Sequence, residues 1–358
     1  GSIYAIFGGL KAVAVSDTIN ALGLLIGGLL IPIFGLMEIG NGNIGHGIST
    51  LIEVNPDKFN SIGSNEASVP FATIFTGMML VQLFYWGTNQ AIIQRALGAK
   101  NLKEGQKGLL LGSFIKILGP LIVVLPGIIA FHIFGGNLEN PDEAYPRLVN
   151  KVLPLSLVGF FAAVLFGAIL SSFNSALKSS VTLFGIDIYK QYFNKKANEK
   201  QIVKAGKLFG VLLALSAMFI APFIANAPDG LFGYLQEVNG CYSIPILTII
   251  MVGYLTKRVP ALAAKVGIVS GVLFYSISQF VLKPYVFGND NYPHFLHVMA
   301  ILFVLNIIIM LIIGKLYPRD YDYVQKFTQE VDVTPWKHTK KIGLAICLIV
   351  IGIYIYFA

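Results

Sequence analysis

Nine stretches of this 358-residue chain are apolar for long enough to cross a bilayer: roughly 18–37, 70–94, 108–132, 153–186, 206–226, 236–255, 261–282, 297–315 and 341–357. In hydrocarbon every backbone N–H and C=O must find its partner inside the protein, so runs of this length are expected to be helices. Charge content agrees. Only 12% of the residues are Asp, Glu, Lys or Arg, where a soluble domain carries about 25%. The chain is therefore expected to form one polytopic all-α membrane domain over residues 1–358.

The basic excess sorts by side. If loop 95–107 is cytoplasmic, alternation makes 187–205, 256–265, 316–341 and the N-terminal stretch with Lys11 cytoplasmic as well. Twenty lysines and arginines then lie on that side, against four on the other: Lys58, Arg147, Lys151 and Lys283. This is the positive-inside pattern, so the net charge of +8 is topology and not the footprint of a nucleic acid. Cys241 and Cys347 both sit in apolar segments, which argues against a disulfide framework.

Lys116 is the only Asp, Glu, Lys or Arg between Lys107 and Glu139. At about 1.5 Å per residue it lies roughly 14 Å beyond Lys107, near the bilayer midplane. A lysine at that depth is expected to face a wet cavity and bind something polar, the alternative being a side chain that snorkels to the interface. A second pattern is the stripe Ala168, Ser171, Ser172, Ser175 and Ser179 on the fourth span. Its hydroxyls and free carbonyls suit a hard cation such as sodium, while back-bonding to the helix is the plainer reading. Around Tyr85 and Trp86 stand amides at Gln82, Asn89, Gln90 and Gln94, and Phe232 and Gln236 enter the sixth span from outside. Amides beside flat aromatic faces suit a polyhydroxylated ligand, although an aromatic belt has the same composition.

Other features carry less. The pairs Gly23/Gly27, Gly108/Gly112 and Gly267/Gly271 have the spacing of close helix contacts, and Pro120, Pro126, Pro222 and Pro245 are expected to interrupt helices. Gly40 to Gly45 spells a dinucleotide-binding glycine pattern but follows a membrane helix and not a strand. No H-E-x-x-H pattern or paired nucleophile and base occurs, so an enzyme is not expected. Residues 1–10 lack a signal peptide; Ile3 to Phe7 reads as the end of an earlier helix, followed by a loop at Gly8-Gly9-Leu10, as in an N-terminally truncated chain.

The string Tyr85-Trp86-Gly87-Thr88-Asn89-Gln90-Ala91-Ile92-Ile93-Gln94-Arg95, with Gln106-Lys107-Gly108, Ala168-Ile169-Leu170-Ser171-Ser172 and Asp187-Ile188-Tyr189-Lys190, strongly resembles the solute:sodium symporter family, and within it the sodium/galactose and sodium/glucose cotransporters. The resemblance implies a five-plus-five inverted-repeat helical bundle in a bacterial inner membrane. This chain would hold the last helix of repeat one, all of repeat two and three extra helices. It implies a sodium site with the Ala168 carbonyl and the Ser171 and Ser172 hydroxyls, and Asp17 on the sodium path. Sugar contacts would come from Lys116 and Gln236, with Tyr85 and Trp86 at an inner gate and Phe232 at an outer one. Gln82 stands where the galactose transporter has asparagine, and Phe84 where it has tyrosine. Sodium would be co-transported with a galactose- or glucose-like hexose. Another solute (myo-inositol, sialic acid or a small anion) and a non-transporting sugar sensor are the alternatives. Further sodium and sugar ligands would lie on earlier helices absent here, so the chain alone is not expected to transport.

The orientation is testable. In a background without Cys241 and Cys347, an impermeant maleimide should label Lys58→Cys in intact cells and Lys100→Cys only after permeabilisation; labelling of Lys100→Cys from outside refutes the assignment.

Overall fold

The structure is a computed structural model that describes residues 2–63, 69–138, 140–224, 231–288, 291–324 and 331–358, with the side chains of 2–13, 141, 224 and 231–233 left out of the description. Among the described residues it is helical, with no strand. The helices are α1 (Ser2–Ile39), α2 (Ile44–Val54), α3 (Gly77–Gly87), α4 (Gln90–Leu97), α5 (Leu102–Lys116), α6 (Leu125–Phe134), α7 (Ala144–Val152), α8 (Leu155–Leu183), α9 (Glu199–Ile224), α10 (Leu231–Leu255), α11 (Ala261–Ile277), α12 (Phe295–Leu316) and α13 (Thr339–Tyr356). Three π-helical segments, Pro120–Val124, Phe184–Phe193 and Ser278–Phe287, lead into α6 or extend α8 and α11.

Eight helical stretches among the described residues are long and apolar enough to span a membrane: Ala14–Ile39, Leu102–Phe134, Leu155–Phe193, Glu199–Phe223, Tyr234–Leu255, Ala261–Phe287, Phe295–Leu316 and Thr339–Tyr356. They match eight of the nine expected spans. The ninth, 70–94, is not one helix but a 3-10 turn at Phe71–Phe75 followed by α3 and α4. Local hydrogen bonding breaks it. The N–H groups of Thr88 and Asn89 and the Thr88 hydroxyl all converge on the Phe84 carbonyl, and the Asn89 side chain accepts from the Ala91 N–H at 2.9 Å, starting a new helix.

Three further expectations are corrected. The loop at Gly8-Gly9-Leu10 is absent, because α1 runs unbroken from Ser2; two helical glycines cost about 1 kcal/mol each, which a long helix absorbs. Pro222 and Pro245 lie inside continuous helices, whereas Pro120 opens a π turn and Pro126 sits in the first turn of α6. Gly108 and Gly112 have nothing within 4 Å of where a Cβ would stand, while Gly23 and Gly27 meet Val164 and Phe161, and Gly267 and Gly271 meet Met310 and Pro245.

Packing gathers the chain into two compact units. The first comprises Gly1–Ser61, Gln94–Asn226 and Val333–Ala358. In it α1 lies along α8, and a core of Ile31, Leu36, Leu51, Ile129, Leu148 and Phe161 joins α1, α2, α6, α7 and α8. Peripheral α13 packs along α5 with no buried side chain. Its ends are tied down: Gln106 Oε1 accepts from the Trp336 N–H at 2.7 Å and the Thr339 hydroxyl at 2.9 Å, and Ser61 donates to the carbonyls of Tyr354 and Phe357.

The second unit comprises Ile62–Ile93 and Ala227–Asp332. Here α3, α10, α11 and α12 surround Leu80, Phe84, Ile244, Tyr275, Leu296 and Met299. The approach is closest at Gly77, where a Cβ would stand 2.0 Å from the Leu296 carbonyl oxygen. Nearby, the Thr76 hydroxyl lies 3.0 Å from His297 Nδ1.

Gly77→Ala should therefore destabilise the detergent-solubilised protein by roughly 1–3 kcal/mol, read as a lowered melting midpoint, while Gly108→Ala stays within about 0.5 kcal/mol of the parent.

Candidate functional site

Half of the serine stripe on α8 serves its own helix. Ser175 Oγ donates to the Ser171 carbonyl at 2.6 Å and Ser179 Oγ to the Ala176 carbonyl at 3.0 Å, the back-bonding typical of serines in apolar helices. Ser171 differs: its hydroxyl donates to Asp17 Oδ1 on α1. Ala168 is half-buried and Ser172 is exposed on the same helix. Asp17, with 18% of its side chain exposed, lies inside a membrane-length helix and needs a cation. Arg95 of α4 supplies it. Its Nε donates to Asp17 Oδ2 at 3.0 Å, its Nη2 contacts the same oxygen, and Nη2 also donates to Ser175 Oγ at 2.5 Å. Gln94, buried beside it, donates to the Ser175 carbonyl at 3.2 Å, and Asn20 donates to the Gly167 carbonyl at 3.3 Å.

The result is a continuous polar chain, Arg95–Asp17–Ser171 and Arg95–Ser175, crossing from α4 to α1 to α8 within the first unit. Both carboxylate oxygens are engaged, one by guanidinium and one by hydroxyl. A hard cation approaching Ser171 therefore meets oxygen ligands whose negative charge is already shared with Arg95. Arg95 does not stand out as a site residue in the sequence, where it counts toward the basic loop, and Gln94 reads there as one of the amides around Tyr85 and Trp86. The available signal is Asp17 itself, an aspartate immediately before the apolar run at 18–37, which needs a partner if the helix carries it into the membrane.

The aromatic cluster lies in the second unit. On α3, Gln82 Oε1 accepts from Trp86 Nε1 at 2.9 Å, one turn on, and the rings of Tyr85 and Trp86 meet edge to face at 5.2 Å. These three side chains share the exposed side of α3, with Tyr85 42% and Trp86 44% exposed. Phe84 turns the other way, buried in the core with its ring 6.2 Å from that of Tyr242 on α10. Of the amides near the aromatic pair, Gln82 hydrogen-bonds to Trp86, Asn89 caps α4 and Gln94 reaches α8. Gln236 is half-buried on α10; the side chain of Phe232 is outside the described residues.

Lys116 belongs to the first unit and is the last residue of α5. The backbone tightens just beyond it, with the Ile117 N–H donating to the Phe114 carbonyl and the Leu118 N–H to the Ile115 carbonyl, before the π turn at Pro120. Irregular backbone at membrane depth is tolerated where protein or water covers it, and π turns recur at functional sites. The side chain is exposed in the described structure.

Comparison with known proteins adds four findings. A family model described as the sodium:solute symporter family matches residues 2–271. The uncharacterized symporter YidK of Escherichia coli (strain K12) is 46% identical over 354 residues, covering 99% of this chain and 61% of that protein. The sodium/glucose cotransporter of Vibrio parahaemolyticus is 33% identical over 302 residues, covering 78% and 55%. Among solved structures, a Na+-coupled sialic acid symporter, described in a substrate-bound outward-open state that reveals a novel Na+-site, aligns with a TM-score of 0.69 at 20% identity, over 89% of this chain and 66% of that one. That last likeness is one of fold. The chain spans little more than half the length of these curated relatives.

Removing the guanidinium should strand the carboxylate. Arg95→Ala is expected to cost on the order of 2 kcal/mol of thermal stability, discounted from the buried-pair value because Arg95 is 32% exposed. Adding Asp17→Asn should recover part of that loss; equal melting of Arg95→Ala and the parent would refute the pairing.

Proposed function

The chain belongs to the sodium:solute symporter family, and from that premise we propose that the whole protein imports a small polar solute, most simply a neutral hexose, driven by sodium entering with it. The observation that carries this reading is the Ser171–Asp17 contact. Ser171 bonds outward to a carboxylate on another helix, the orientation a cation ligand requires, while Ser175 and Ser179 bond their own helix. The Ala168 carbonyl and the Ser171 and Ser172 hydroxyls form the sodium cradle. Asp17 receives the ion on its way to the cytoplasm, and Arg95 holds that carboxylate when no ion is there. Cation and guanidinium compete for the same negative charge, so release of one favours return of the other.

The solute is held by groups that both donate and accept. Gln82, tied to Trp86, and the edge-to-face pair Tyr85 and Trp86 offer an amide next to flat apolar rings, the combination that suits a pyranose. Lys116, Gln236 and Phe232 are assigned to the same solute, the first two as hydrogen-bond partners and the last at the outer gate. Coupling is linkage: sodium must stabilise the solute-competent state more than the others. Each sodium moving down a tenfold gradient releases about 1.4 kcal/mol, and each charge crossing 100 mV about 2.3 kcal/mol. Together these support a several-hundred-fold accumulation of a neutral solute per ion. No covalent step is involved.

Uptake into proteoliposomes carrying the whole protein, across a panel of galactose, glucose, myo-inositol and sialic acid, tests this. The expected result is sodium-dependent hexose uptake. Ser171→Ala should raise the sodium concentration for half-maximal uptake about tenfold, and Lys116→Ala and Gln236→Ala should raise the solute KM. Uptake without sodium overturns the symport reading. Preference for sialic acid over both hexoses overturns the sugar and reassigns Lys116 to a carboxylate, and sodium currents without tracer uptake would make the protein a sensor.

A further inference from the structure

Glu237 and Lys283 form an ion pair that the solute-binding reading does not use. Lys283 Nζ donates to Glu237 Oε1 at 3.2 Å, with only 25% and 19% of the two side chains exposed. Both residues lie inside membrane-length helical stretches, Tyr234–Leu255 and Ala261–Phe287, on the side away from the basic loops. Among the described residues it is the one salt bridge joining α10 to the α11 stretch. Sequestering two charges gains little net stability over an apolar pair of the same shape. The best-attested use of such a pair is to fix register.

Its place on α10 shows which register it fixes. Glu237, Gly240, Cys241 and Pro245 line the face turned to α11: the Tyr275 ring fills the space beside Gly240, Cys241 Sγ lies 3.8 Å from Ser276 Oγ, and Pro245 packs where a side chain at Gly271 would stand. Gln236 precedes Glu237 and so projects about 100° around the helix from it, half-buried on the side of Gly240. The segment before Pro245 is loosened as well, because the proline donates no hydrogen bond to the carbonyl four residues back. Steric contacts with Tyr275 and Gly271 hold the middle of α10. Near its outer end the ion pair provides the hold.

The partner helix is shaped to deliver the ammonium. In an unbroken α-helix the stripe Tyr275, Gln279, Lys283 would drift sideways by about 40° at each step of four residues. From Ser278 to Phe287 the backbone is π-helical, and its wider turn advances each side chain by less, cancelling the drift. Tyr275 and Gln279 are buried at 1% and 3% exposure on this stripe, and Lys283 follows them onto Glu237.

We propose that Lys283 and Glu237 are positioning residues that set the direction of Gln236 and thereby the protein's apparent affinity for its solute, without touching that solute. The proposal rests on the assignment of Gln236 to the solute. The test uses the whole protein in liposomes under an inward sodium gradient with radiolabelled galactose, or the best-carried solute of the panel above. Lys283→Gln and Glu237→Gln should each raise KM about tenfold, with Vmax and the sodium half-saturation within about twofold of the parent. The reversed pair, Glu237→Lys with Lys283→Glu, should bring KM back to within about threefold. Added to Gln236→Ala, Lys283→Gln should raise KM little further, since both act through one amide.

An unchanged KM in both single variants overturns the proposal. So does a rise of the same factor in the parent and in Gln236→Ala, which marks a general structural role. If the single variants fail to fold, the reversed pair decides: KM within threefold upholds the clamp and a tenfold rise removes it. A parental KM in Gln236→Ala fells the solute assignment and the clamp together, whereas a raised KM there with none in Lys283→Gln fells the clamp alone.

Discussion

A carboxylate inside a membrane-length helix costs several kcal/mol unless neighbours supply charge and hydrogen bonds, and Asp17 is placed in that position. Arg95 and Ser171 meet the demand from two directions, one with a guanidinium and the other with a hydroxyl. The arrangement of the first unit around them follows. α1 must lie close enough to α8 for the hydroxyl to reach, which the small residues Gly23 and Gly27 allow by admitting Val164 and Phe161. α4 must begin afresh after α3 for Arg95 to arrive at that point, which the cap at Asn89 achieves.

Departures from ideal helix cluster where the chemistry is assigned. The break at Thr88 and Asn89 separates the aromatic cluster of α3 from the arginine of α4. The tightened turn after Lys116 ends α5 at the mid-membrane lysine that the sequence singles out. The π segment after α11 brings Lys283 to Glu237. Regular helix supplies the span and the irregular turns supply the aim, because a single added residue re-aims every side chain beyond it by about 100°.

Long apolar runs were readable because hydropathy sums over some twenty residues and backbone chemistry in lipid leaves one solution. The same averaging hides the interruption at 70–94: Gly87, Thr88 and Asn89 are a stop and a cap in local terms, yet they barely dent the mean of a stretch carrying phenylalanine, isoleucine, methionine and leucine. The serine stripe was visible as a face but not as two populations, since whether a serine bonds its own helix or a neighbour depends on what lies opposite, and Asp17 is 154 residues from Ser171. Arg95 reads only as a loop charge for a related reason. Its charge belongs with the loop in the sequence, whereas its partner is set by tertiary packing.

Helix α13 has a mechanical consequence. Tethered at Gln106 near one end and at Ser61 near the other, and with no side chain buried between, it takes its tilt from the surrounding lipid more than from protein. Its eighteen residues amount to about 27 Å, slightly short of a typical hydrocarbon thickness of about 30 Å. A thicker bilayer stretches this tie rod and a thinner one slackens it, and the load falls on Gln106 at the base of the helix that ends in Lys116.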